Sequence, residues 1–195
     1  MAYLRISDAR EAGRTVRTGL RKSASEVLTE SARGFTSDTR YDIFLSHAYD
    51  DAELILGVKE LITNLGLTVY VDWIEDPRLD RGNVSSKTAA VLRERMRNCA
   101  SLVYVHSASS SKSKWMPWEL GYFDGFRPGH VWILPLVANA DSEFENQEYL
   151  GLYPPVEKLA SLPQGQNLGF GGVGQYRTDV PLAKASRGSG VWYTS

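Results

Sequence analysis

The 195-residue chain has one cysteine, three histidines and no apolar run near the ~20 residues that cross a bilayer, and each shortage removes a class of function. Cys99 alone cannot close an intrachain disulfide. With no second cysteine or nearby histidine it makes a poor thiolate site, so no metal centre is expected and a small buried hydrophobe is its role. Charge of one sign is missing as well. Against 23 acidic residues stand 22 basic ones, and a net charge of -1 gives no broad attraction for nucleic acid. The N-terminus is Arg-rich without the apolar h-region of a secretory signal. These shortages favour a soluble, cytoplasmic chain with neither a nucleic-acid nor a membrane partner.

What is present suffices for one packed core, since 43% of the residues are hydrophobic. Three stretches differ in character. Residues 1–39 read as an extension, helical over 7–32, with Asp8 and Glu11 as a capping box and Gly34 as a stop. Its apolar face, Val16, Leu20, Val27 and Leu28, is too thin for a core of its own, so it docks on the body or on a second subunit. Gly13 and Gly19 argue against one continuous helix. Acids dilute the basic residues of this stretch, which reads as a solvated helix face rather than a membrane-surface helix.

From Tyr41 to about residue 162, strand and helix signals alternate. Buried strands are predicted over Tyr41–Ser46, 67–72, 101–106 and Val131–Val137, with helices between them. Leu54, Ile55, Val58, Leu61, Ile62 and Leu65 give the first helix its face, and Gly66 ends it. Strands apolar along their whole length imply a parallel sheet covered on both faces, an α/β, flavodoxin-like, doubly wound fold over residues 40–162. Ligands of such sheets bind beyond the carboxyl ends of the strands, where the loops after Ser46, Asp72 and His106 gather. Residues 163–195 are Gly-rich and read as an irregular tail with at most short strands, the best being 191–193. Its Gly-Phe-Gly-Gly-Val-Gly run lacks the flanking strand and helix of a dinucleotide fingerprint.

Residues 113–123 place one carboxylate, Glu119, among aromatic rings. Desolvating a carboxylate there is costly, so it is paired, neutralised or kept for a substrate with hydroxyls or positive charge. The plainer reading is an acid favoured by the helix dipole just after Pro117.

Three ordered blocks shift the balance. The Tyr41–Ser46 strand with His47, the polar loop 74–84 after the second strand, and Ser113, Trp115 and Glu119 in a Ser-x-Trp-x-x-x-Glu pattern together resemble the sequence boxes of Toll/interleukin-1 receptor (TIR) domains. The stand-alone prokaryotic members are the better match. That resemblance implies an NAD+-cleaving enzyme in which Glu119 stabilises an oxocarbenium-like ribose, NAD+ being the substrate and no separate cofactor being needed. Around it, Ser46 and His47 hydrogen-bond ribose or phosphate or serve only the fold, Trp115 packs in the core or touches substrate, and Trp118 makes a surface contact. Arg78 and Arg81 of the BB-like loop clamp the pyrophosphate or pair with neighbouring acids. The family further implies self-association through the BB-like loop, a hydrolysed or cyclic ADP-ribose product, a role in bacterial antiphage signalling, and a downstream effector that senses the product. The alternative is a non-enzymatic TIR–TIR interaction module, for which a carboxylate at position 119 has no use. Many eukaryotic members carry Cys before the Trp; here Lys114 stands there, and no thiol regulation is carried over.

Overall fold

The computed structural model describes residues 3–34, 36, 38–48, 52–73, 85–139, 148–159 and 169–172. Five strands form one wholly parallel sheet: β1 (Leu4–Arg5), β2 (Tyr41–Ser46), β3 (Val69–Val71), β4 (Cys99–His106) and β5 (Val131–Val137). Their spatial order is β1-β5-β4-β2-β3. Helices α1 (Ile6–Leu20), α2 (Ala24–Arg33), α3 (Ala52–Thr63), α4 (Ser86–Arg97) and α5 (Met116–Phe126) complete the body.

Strand alternation divides the interior between two faces. Ile43, Leu45, Val103, Val105, Trp132 and Leu134 join α1, α2 and α3 residues in one cluster, whereas Phe44, Leu102, Tyr104, Val131 and Ile133 join α4 and α5 residues in the other. Successive side chains of a strand point to opposite faces, so a strand between two helical layers is apolar at every position. The expected α/β doubly wound fold is therefore present. Cys99 is buried in β4, where its thiol donates to the Arg95 carbonyl at 3.3 Å.

The N-terminal stretch departs from expectation in three ways. Leu4 and Arg5 pair in parallel with Leu136 and Val137, adding a strand to the sheet edge that two residues gave no periodicity to announce. The helical stretch breaks at Arg21, whose left-handed φ of 54° ends α1, and not at either glycine. A capping box does occur, but at Ser23 and Glu26 at the start of α2; Asp8 instead pairs with Arg5 at 2.7 Å. Gly13 is needed for another reason. A Cβ there would meet the Glu53 carbonyl oxygen at 2.1 Å, and one on Gly57 would meet the Ala9 carbonyl oxygen at 1.6 Å. With no Cβ on either, α1 and α3 cross backbone to backbone.

β3 is shorter than predicted because Thr68 bonds sideways. Its N–H and hydroxyl donate to Asp42 Oδ2 at 2.8 and 2.9 Å, while the Asp42 N–H donates to Thr68 Oγ1 at 2.9 Å. Gly66 lies just past α3 with φ of 81°, as a helix stop requires. In the Gly-rich tail, Gly169–Gly172 forms β7 and pairs antiparallel with β6 (Val156–Leu159), the ladder supplying the hydrogen bonds that glycine side chains cannot. Residues 191–193 lie outside the described residues.

Candidate active site

β2 has β3 on one side and β4 on the other, so the sheet changes winding direction between β2 and β4. A crevice opens at the carboxyl ends of two such strands. Ser46, the last residue of β2, is paired with Tyr104 of β4, and both are fully buried.

Helix α5 lies over this point. Ser113 Oγ accepts from the Met116 N–H at 3.2 Å, Pro117 occupies the first turn, and the Glu119 N–H donates to the Trp115 carbonyl at 2.8 Å. That fixed first turn directs Glu119 inward, where it is 0% exposed and Oε2 accepts a hydrogen bond from Ser46 Oγ at 2.6 Å. Bonds to an ionised acceptor are short and strong, and the positive end of the helix dipole adds to the preference for a charge. The result is a carboxyl group enclosed at the switch point and bonded to Ser46, where the low local dielectric strengthens the action of a carboxylate on a nearby cation.

Tyr104 stands beside Ser46 on the same face of the sheet. Burial raises its phenol pKa, with Tyr149 beside it and the Glu119 charge acting in the same direction, so the hydroxyl keeps its proton. Among the described residues none meets hydrogen-bond geometry with that hydroxyl, although Tyr149 and Ser110 are its neighbours.

His47 is buried. Its Nδ1 lies 3.0 Å from the Leu45 carbonyl, which can only accept, so Nδ1 carries a proton. The ring stacks on Trp73 with centroids 5.5 Å apart, tying the loop after β2 to the end of β3. Asp72 is buried beside them, 3.5 Å from the Tyr70 hydroxyl.

Of the two tryptophans, Trp115 is 5% exposed and belongs to the α4–α5 core cluster, while Trp118 is half-buried. Trp118 meets Trp115 edge to face at 5.4 Å and stacks on Tyr122 at 5.6 Å, and the Arg93 guanidinium lies 5.4 Å from its ring centre. Among the predicted residues the structure thus joins Ser46 to Glu119 and Trp115 to Trp118, and gives His47 different company. Arg78 and Arg81, with the rest of the BB-like loop 74–84, lie outside the described residues. Sequence reasoning passed over Tyr104 and Arg93: strand pairing puts Tyr104 beside Ser46, and helix packing brings Arg93 to Trp118, so neither shows in a linear pattern.

No family model matches the chain. A protein of Bacillus cereus (strain MSX-D12) named "Probable 3' cyclic ADP-D-ribose synthase ThsB'" is 51% identical over 138 residues, which span 70% of this chain and 71% of the relative. A Cytobacillus dafuensis protein named "Putative cyclic ADP-D-ribose synthase TIR2" is 35% identical over 83 residues, or 42% of this chain. The match spans 22% of that relative's length.

Proposed function

Because the chain belongs to the bacterial TIR-domain family that includes the ThsB' synthase, we infer that it is an enzyme that cleaves the nicotinamide–ribose bond of NAD+. The electron pair of the broken C–N bond leaves with nicotinamide, which becomes neutral, and the ribose carbon is left as an oxocarbenium-like centre. Glu119 is the group that stabilises it. Nicotinamide needs no protonation to leave, so one carboxylate suffices where ordinary glycoside hydrolysis uses two. Water then captures the cation, losing a proton, to give ADP-ribose; capture by a nucleophile within the same dinucleotide gives a cyclic isomer. The names of the relatives favour the cyclic product.

The observation that carries this reading is the 2.6 Å bond between Ser46 and a fully buried Glu119 at the switch point. A carboxylate so enclosed requires productive binding to include an opening step. We propose that self-association through the BB-like loop provides one, and that the product acts in antiphage signalling through an effector that senses it; the name of the Bacillus cereus relative supports the signalling role. No described helix is long and apolar enough to cross a membrane.

Nicotinamide release from NAD+ by the purified protein, across a protein concentration series, tests the reading. Wild type is expected to release nicotinamide more steeply than in proportion to concentration, and folded Glu119→Gln at a rate lower by about 10²-fold or more. Near wild-type turnover by Glu119→Gln would remove Glu119 from the chemistry.

A further inference from the structure

Ser46 and Tyr104 are Cα partners on adjacent strands, so their side chains stand side by side on one face of the sheet. That face is the one α5 covers: Tyr104 packs in the same cluster as Trp115, Met116 and Leu120, and Ser46 bonds Glu119 directly. Tyr104 is 0% exposed, and among the described residues no group meets full hydrogen-bond geometry with its hydroxyl, although Tyr149 and Ser110 lie close enough to act on it. Burying a hydroxyl without a partner costs stability, and a phenylalanine would fill the same space without that cost. The oxygen is thus loosely held, beside Ser46 and within reach of the Glu119 charge.

We propose that Tyr104 is a positioning residue for Glu119, its hydroxyl being the second donor that, with Ser46, fixes the carboxylate while the ribose is bound. This rests on the NAD+-cleaving reading above. One donor on each side of a carboxylate removes its freedom to rotate and leaves the remaining lone pairs for ribose hydroxyls or for the developing cation. Burial above all, with the Glu119 charge acting in the same direction, opposes ionisation of the phenol, so Tyr104 remains a donor across the neutral range.

The test is Tyr104→Phe, which removes one oxygen and keeps the ring. Nicotinamide release is expected to show kcat lowered about tenfold, as for loss of one bond to a charged group, with KM within about twofold of wild type. In the Glu119→Gln background the same substitution should add no further loss. Urea denaturation separates positioning from packing: the variant should unfold at the wild-type midpoint or above it, because no well-formed hydrogen bond of the resting fold has been removed. Tyr104→Leu, which also removes the ring, should lower both the midpoint and the activity.

An active wild type with unchanged kcat in Tyr104→Phe overturns the assignment alone. So does a fall in kcat accompanied by a lowered unfolding midpoint, which marks the oxygen as part of the packing. A wild type that releases no nicotinamide at any concentration overturns the NAD+ reading and this assignment together.

Discussion

Ser46 and Glu119, 73 positions apart in the chain, meet across 2.6 Å because the end of β2 and the first turn of α5 converge on one point of the sheet. Ser46→Ala keeps the buried Cβ and deletes the donor. We expect kcat for nicotinamide release to fall about tenfold, since bonds to charged groups are worth roughly 1.5–3 kcal/mol. A kinetic assay paired with a thermal melt checks this, and unchanged kcat in a folded variant would show that the bond is incidental.

The crossing of α1 over α3 predicts an unusually costly alanine. A Cβ at position 57 points at the Ala9 carbonyl, a backbone atom that cannot swing aside, so the two helices must separate. Gly57→Ala is expected to cost about 3 kcal/mol, at the upper end for overpacking, and to lower Tm by on the order of 10 °C. Gly19→Ala is the control, because a Cβ there meets nothing within 4 Å. Equal melting of Gly57→Ala and wild type would disprove the close crossing.

Removing residues before Arg40 takes away β1, α1 and α2 and leaves α3 alone to cover one face of the sheet. Leu4, Ala9 and Leu28 are buried against it, so the truncated chain should lose cooperative unfolding or aggregate. Cys99 reports the change: burial pushes its thiol well above its ordinary value, which makes it inert in the intact fold. An aromatic disulfide reagent should leave full-length protein unmodified and label the truncated one within the assay. Equal protection in both would show that the body stands without its N-terminal stretch.

Stability should fall on mild acidification. Burial lowers the pKa of His106, and burial with the nearby Arg127 charge lowers that of His130, so both are neutral in the fold and take up protons more readily when unfolded. The unfolded state binds more protons once pH drops to the ordinary histidine value of 6.5, and stability is lost from there down to the folded values. The urea midpoint should therefore be lower at about pH 5.5 than at about pH 7.5, and the His106→Gln/His130→Gln double variant should reduce that difference. A pH dependence identical in both proteins would place the titration elsewhere.

Much of the body was legible because its signals are local. Val131–Val137 is apolar at all seven positions, which a doubly covered strand requires, and the α3 face repeats at helical spacing up to the Gly66 stop. Glu119 stood out for the same reason, as a carboxylate among rings behind a first-turn proline. The two-residue β1 was not legible, since a strand that short has no period, and neither was the role of Gly13, which reads as a helix breaker until its partner Gly57 is known.

Sequence by itself determined the alternation of strands and helices, the buried thiol, the candidate carboxylate and the ordered blocks that resemble TIR domains. These follow from residue type and from neighbours a few positions away, whose hydrophobicity and backbone preferences act locally. The tertiary structure decided that the Ser46 hydroxyl reaches Glu119, which ring Arg93 covers, what His47 stacks on and why two glycines face each other. Those contacts join residues up to 73 positions apart, and they are set by sheet register and helix crossing, which depend on the packing of the whole core rather than on any one segment.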